Sequence, residues 1–221
     1  MAWLPLESNP DVMNKYLYNL GVPDKYQMVD VYGLDNELLG AIPRPVLAVM
    51  LLFPSRKTQD QPEIDEAGDK EVSESLFYIK QIVNNACGTI ALLHSVANNL
   101  DKIQLEEGHL KTFIEKAKPL NPMERGELLG KAEGIINIHK EVAMEGQTEA
   151  PEPTEPVHYH FVAFVQQGGF IYELDGRKPS PINHGCTSDD TFLEDAARVC
   201  KQYMDRDPDE LHFTVVALTA T

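Results

Sequence analysis

In the stretch QIVNNACGTIALLHSVANN a cysteine stands where a segment of extended character meets a helix, with Gln81 ahead of it. A cysteine attacks as thiolate, so Cys87 is useful only if something lowers its pKa. Asn85 can cap a helix whose first turn holds Cys87, and the free N–H groups and positive dipole end then favour the charged sulfur. Gly88 leaves room for a substrate backbone to approach. A cysteine beside a helix is more often a small core residue. That is the reading for Cys200, which has Val199 and Tyr203 around it. Cys186, in the loop NHGCTSDD, is expected to be exposed and incidental.

A nucleophilic thiol needs a base, and HYHFVAFVQQGGFIYELDG reads as a β-hairpin that offers one. With a turn centred between Gln167 and Gly168, Asp175 lies directly opposite His160, and the carboxylate can orient the ring. A Gly168–Gly169 turn instead pairs His160 with Arg177 and turns His158 toward Pro179. His158 shares the face of His160, and both can be ordinary strand residues, so spacing alone leaves the base open. As metal ligands, the two histidines of HYH lack further donors nearby, and no metal or other cofactor is expected.

Several elements must hold these groups. NPDVMNKYLYNLG opens with a capping Asn9 and Pro10 and ends on Gly21, a helix with both stop signals. YQMVDVYG reads as a short strand. DNELLGAI is a short helix capped by Asp35, and PVLAVMLLFP is a strand covered on both faces. SLFYIKQ reads as extended, and Cys87 to about Leu100 as helix. EGHLKTFIEKAK gives another helix, and NPMERGELLGKAEGIINIHKEVAM a single longer one. DDTFLEDAARVCKQYM is an amphipathic helix, and LHFTVVAL the last strand. Residues 56 to 72 read as a polar surface loop, and EGQTEAPEPTEPV as a Pro- and Glu-rich connection outside the core. Strands scattered among helices favour one mixed α and β domain over residues 1–221.

Composition sets the outer limits. The chain has 221 residues, 43% of them hydrophobic, enough for a sizeable core. No apolar run is long enough for a membrane span, so no membrane partner is expected. The start MAWLPLESNP lacks the pattern of a secretory signal. Three cysteines fit a reducing compartment, so a cytoplasmic location is expected, with the nucleus also open to the chain. A net charge of −16 repels nucleic acid and steers basic partners, although acidity also simply keeps a protein soluble.

The stretches KQIVNNACGTIALLHSVANN, HFVAF, YELDGRKPSPINHG and DPDELHF, with WLPLESNP and EGQTEAP, resemble the ubiquitin carboxyl-terminal hydrolases, a papain-like cysteine protease family. The likeness runs from near residue 3 to the end and is nearest the family's L-three branch. It implies an α+β fold, an antiparallel sheet between helical layers, with a knotted chain path. It implies Cys87 as nucleophile, His160 as base, Asp175 as its orienter and Gln81 in the oxyanion hole. It also implies ubiquitin contacts at Pro5, Leu6, Glu7, Ser8, Asn9 and Pro10, at Asp30, at Glu145 and Gly146, and at Leu211 and Phe213. The loop from about Gly146 to Pro156 would cross the active site and admit small or flexible leaving groups. The implied protein is a monomeric thiol hydrolase that cleaves after the C-terminal glycine of ubiquitin, with a close ubiquitin-like modifier as a further partner. The competing class is a ubiquitin-binding protein with little or no turnover, which a complete catalytic set argues against.

Overall fold

The computed structural model describes residues 3–55, 72–146 and 157–220. The polar loop at 56–72, apart from Val72, and the Pro- and Glu-rich connection at 147–156 lie outside the described residues, and with them most of the expected crossing loop.

Along the chain run α1 (Pro10–Leu20), β1 (Tyr26–Asp30), α2 (Asn36–Gly40), β2 (Val46–Pro54), α3 (Cys87–Ala97) and α4 (His109–Ala117). Then come α5 (Pro122–Leu129), α6 (Glu133–Ala143), β3 (Tyr159–Gln167), β4 (Phe170–Leu174), β5 (Ile182–Cys186), α7 (Phe192–Met204) and β6 (Thr214–Ala220). The strands form one sheet in the order β1-β6-β2-β3-β4-β5, and neighbouring strands run antiparallel. Strand β2 sits inside it. Its alternate residues Ala48 and Met50 pack into one core with α1, α3, α4 and α6, while Val49 and Leu51 pack into a second core with α2 and α7. That two-sided burial is why PVLAVMLLFP reads as continuously apolar. The sheet thus lies between helical layers.

The helix signals act as their chemistry dictates at α1. Asn9 accepts from the Asp11 N–H, Pro10 takes the first helical position, and Gly21 closes the helix at φ 104°. The single long helix expected from Asn121 onward is two helices, α5 and α6. Gly126, Gly130 and Gly134 recur every fourth residue, and each weakens a helix by about 1 kcal/mol against alanine. The break lets α5 lie against the chain before Cys87: a Cβ on Gly126 would come 2.2 Å from the Lys80 carbonyl oxygen.

Two other expectations change. SLFYIKQ does not join the sheet, because its backbone is held by His94 of α3, by the α3 C-cap Asn98, and by carbonyls at the start of α5 and in the turn after Asp175. NHGC is no loop but the edge strand β5. Its pairing with β4 shifts register between Phe170 and Tyr172, and Gly185 has φ 109°. Such an irregularity erases the alternation from which strands are recognised.

The register collects the predicted site residues at one end of the sheet. Asp30 at the end of β1 pairs with Val216, Leu52 pairs with both Thr214 and Phe161, and Phe53 pairs with His160. Asp175 follows the last residue of β4 at the same end.

Candidate active site

Cys87 is the first residue of α3, and Ala86 holds the cap position without a side-chain hydrogen bond. Asn85 therefore does not cap the helix. It adopts φ 63°, a conformation that Asn tolerates better than most residues, and its Nδ2 donates to the Trp3 carbonyl at 3.0 Å. The missing cap favours reactivity, since among the described residues no side chain competes for the N–H groups of the first turn. The space above Gly88 is also not open. A Cβ there would come 2.8 Å from Leu6 Cβ and 3.3 Å from the Phe161 ring, so the glycine lets the N-terminal segment lie close over the helix start.

Strand β3 packs along α3 and brings His160 to Cys87. The strand pairing follows the Gly168–Gly169 turn: Gln167 faces Phe170 and Ala163 faces Leu174. Asp175 is thus not opposite His160, as the other turn would have it. The contact forms regardless. β4 ends at Leu174, the chain turns with Lys178 N–H donating to Asp175 O, and the Asp175 side chain reaches diagonally along β3. His160 Nε2 donates to Asp175 Oδ1 at 2.6 Å, and the same oxygen accepts the Arg177 N–H at 2.9 Å. The His160 ring is 2% exposed and has the Phe53 ring edge-on at 5.8 Å. His158 is exposed.

With its Nε2 proton on Asp175, the neutral ring presents Nδ1 as a basic nitrogen. Nδ1 is buried and makes no formed hydrogen bond among the described residues. The His160 ring is nonetheless close enough to Cys87 for each group to stabilise the other's charge. Burial opposes the thiolate, but His160, the Phe161 N–H and the Arg177 charge outweigh it and lower the Cys87 pKa. Burial likewise opposes the imidazolium, and Asp175 and Cys87 together raise the His160 pKa above the ordinary value. Asp175 is also buried, yet its bonds to His160 and Arg177 N–H keep its pKa low. These directions favour movement of the thiol proton toward a His160 ring backed by a carboxylate. Cys200, fully buried, has its thiol pushed far up by burial and by the Glu173 charge.

Gln81 is held by its backbone, whose N–H donates to the Gly176 carbonyl at 2.8 Å. A Cβ on Gly176 would stand 3.0 Å from Gln81 Cβ, so the turn after Asp175 also locks the glutamine in place. Gln81 Nε2 donates to Val83 O at 3.1 Å, which leaves a second amide hydrogen. Its Oε1 is buried without a partner among the described residues.

A cavity of about 330 Å³ opens over the thiol, lined by Cys87, Asn85, Tyr159, Phe161 and the Pro5–Ser8 segment. A larger cleft of about 680 Å³ lies at the opposite end of the sheet beside Gln167 and the exposed Cys186, and it contains none of the reactive groups. Among the expected contact residues, Gly146 lies against Glu7, and Glu145 pairs with Lys15 of α1 at 2.7 Å. Asn9 and Pro10 start α1, Leu6 is buried, Asp30 and Phe213 are half-buried, and Leu211 is 83% exposed.

Sequence reasoning missed Arg177, Gly176 and a buried carboxylate, Glu173. The run DGRK, with a cation two residues beyond the orienting acid, is the signal that could have flagged Arg177. Glu173 accepts from His184 Nε2 and Tyr203 Oη, each at 2.7 Å, and pairs with Lys178 at 3.0 Å. Burial alone would raise its pKa, but these partners bring it to about 2 against an ordinary 4.5. A depressed carboxylate stabilises the fold above its unfolded pKa and stops doing so as pH falls through its folded pKa. The contribution, about 3 kcal/mol at neutral pH, is therefore lost between about pH 4.5 and pH 2. Glu173→Gln should lower stability by that order at pH 7 and flatten the acid limb, as read by urea denaturation across pH.

A family model described as ubiquitin carboxyl-terminal hydrolase, family 1, matches residues 3–205. The chain is 49% identical to a ubiquitin carboxyl-terminal hydrolase of Drosophila melanogaster, over 100% of this chain and 98% of that one. It is 50% identical to one from Aplysia californica, over 94% and 97%. It is 42% identical to ubiquitin carboxyl-terminal hydrolase isozyme L1 of Equus caballus, over 99% and 98%. The fold resembles that of the UCH37 catalytic domain of Trichinella spiralis, solved bound to ubiquitin vinyl methyl ester. The TM-score is 0.79 at 23% identity, covering 100% of this chain and 97% of that one.

Proposed function

We propose, from the premise that this chain belongs to the ubiquitin carboxyl-terminal hydrolase family, family 1, that Cys87, His160, Asp175 and Gln81 carry out its thiol hydrolysis at the C-terminal glycine of ubiquitin. The observation that carries this division of labour is the His160–Asp175 bond. It fixes the tautomer and leaves Nδ1 free beside a thiol at an uncapped helix start.

The Cys87 thiolate attacks the glycine carbonyl. The oxyanion is received by the second amide hydrogen of Gln81 and by N–H groups of the first turn of α3. His160, protonated, gives its Nδ1 proton to the departing amine or alcohol, and a thioester joins ubiquitin to Cys87. Neutral His160 then takes a proton from water, hydroxide adds to the thioester, and the thiolate leaves. Asp175 stays ionised and stabilises the imidazolium at each stage.

Ubiquitin contacts are assigned to the segment from Pro5 to Pro10, to Asp30, to Glu145 and Gly146, and to Leu211 and Phe213. The register supports this for Asp30 and Phe213, which stand at the catalytic end of the sheet, and the cavity for Pro5–Ser8. The net charge of −16 suits a basic substrate tail and disfavours nucleic acid. The protein acts as a cytoplasmic monomer, open to the nucleus, on ubiquitin and a close ubiquitin-like modifier, and its motif spelling is nearest the L-three branch.

The test is a ubiquitin probe with a C-terminal electrophile. The expected product is one covalent ubiquitin adduct at Cys87, located by peptide mass spectrometry. Tight binding without an adduct would instead identify a ubiquitin-binding protein.

A further inference from the structure

We infer that His94, on the far half of α3, and Asn98, its C-cap, are positioning residues that hold the oxyanion donor Gln81 in register with Cys87 at the start of the same helix.

The short connection between Gln81 and Cys87 is tied by bonds at Val83, Asn84 and Asn85, and helix α3 holds Gln81 a second time through the segment that precedes it. Ile82 and Asn84 in that connection are exposed. The segment before it, Phe77–Gln81, belongs to no strand, so its polar groups need other partners. Helix α3 supplies them. Asn98 behaves as a strand neighbour toward Phe77, accepting its N–H on Oδ1 at 2.7 Å and donating Nδ2 to its carbonyl at 2.9 Å. One turn earlier, His94 Nε2 accepts the Ile79 N–H at 2.9 Å. Side chains four apart share a helix face, so the two act as one edge.

Both residues are buried, His94 completely, and a buried backbone N–H with no acceptor is costly. His94 must stay neutral to accept. Burial drives its pKa to about 3, so it does so across the working pH range, with its proton on Nδ1. The ring also stacks on Tyr78 at 5.3 Å, and the Tyr78 hydroxyl donates to the Asp175 carbonyl at 2.6 Å. One face of α3 thereby fixes the segment that ends in Gln81 and braces the turn that carries Asp175. Helix α3 spans both ends of this arrangement, so nucleophile and donor move as one body.

This inference rests on the assignment of Gln81 to the oxyanion. A donor misplaced by about 1 Å can cost up to 10²-fold in rate. The test is a double-mutant cycle in the full chain, with kcat measured on ubiquitin carrying a fluorogenic C-terminal amide, well below each variant's Tm. Equilibrium binding of ubiquitin is measured beside it. His94→Phe keeps the ring and removes the acceptor. It should lower kcat about 10- to 10²-fold, with ubiquitin affinity unchanged. His94→Gln, which can accept the Ile79 N–H through Oε1, should recover most of the rate. Once Gln81→Ala has removed the donor, adding His94→Phe should cost little more. Should His94→Phe not fold, Asn98→Ala enters the same cycle with the same expectation. Multiplying losses, an unchanged kcat, or a loss confined to ubiquitin affinity would overturn the inference while leaving the role of Gln81 intact. If Gln81→Ala itself keeps full kcat, the oxyanion assignment falls and the inference with it.

Discussion

Cys87→Ala is expected to abolish turnover and leave ubiquitin bound. The substitution deletes one sulfur from a side chain that sits at the first helical position and is 7% exposed. It removes no capping hydrogen bond, because the helix start has none from a side chain. Alanine is also a good helix former, so α3 should persist. What vanishes is the atom that forms the thioester, and neither other cysteine can replace it. Cys200 is fully buried, and burial together with the Glu173 charge keeps it a thiol. Cys186 is exposed but lies at the opposite end of the sheet. Cys200→Ala and Cys186→Ser should therefore keep wild-type rates of cleavage of a ubiquitin C-terminal amide. In Cys87→Ala neither a burst nor steady-state release should rise above the uncatalysed rate, while calorimetry still shows ubiquitin binding. A surviving burst would assign the nucleophile elsewhere.

The elements that position the thiol were largely legible. Asn9, Pro10 and Gly21 delimit α1 because each matches a distinct backbone need at a helix end. The run Val46–Pro54 was readable as a doubly covered strand because both of its faces are apolar. Where the reading failed, tertiary contacts had replaced local signals. SLFYIKQ has the composition of a strand, but its backbone partners are Asn98, His94, Pro122 and Gly176, distant in sequence and in two cases side chains. The division of α5 from α6 was written in the glycine spacing, though its purpose, the close approach of Gly126 to Lys80, required the fold.

The site shows the same split. Cys87 was identifiable by residue type and neighbourhood, and His160 as one of two candidate bases that the family resemblance decided between. The reason offered for their reactivity was partly different from the one found, since Asn85 does not cap and Leu6 occupies the room above Gly88. Asp175 was reached through a turn the hairpin does not adopt. It meets His160 because β4 stops one residue earlier and the chain bends, a geometry outside any strand-pairing rule. Sequence spacing could not choose between His158 and His160. Burial and the carboxylate bond do.

Asp175→Asn is expected to slow acylation by roughly 10²- to 10⁴-fold, a range taken from other nucleophile–base–carboxylate triads. The aspartate does two things with one oxygen: Oδ1 accepts both the His160 Nε2 proton and the Arg177 N–H. Asparagine can keep an oxygen there, so the turn and the ring position can survive. The negative charge cannot. Without it the imidazolium loses its largest stabilisation, and the His160 pKa falls. The sign for the thiol follows: a less readily protonated His160 stabilises the thiolate less, so Cys87 ionises at higher pH. Alkylation of Cys87 by iodoacetamide, followed across pH, should shift toward the profile of an ordinary thiol. Acylation by a ubiquitin ester should fall with little change in ubiquitin affinity, because Asp175 is buried behind the ring. If Nδ2 rather than Oδ1 turns toward the ring, Nε2 becomes the acceptor and Nδ1 carries the proton, which blocks proton uptake from the thiol and deepens the loss. Asp175→Ala removes the acceptor for Arg177 N–H as well and should be at least as slow and also less stable. An Asp175→Asn variant with wild-type acylation and an unmoved alkylation profile would show that the carboxylate neither orients His160 nor sustains the ion pair.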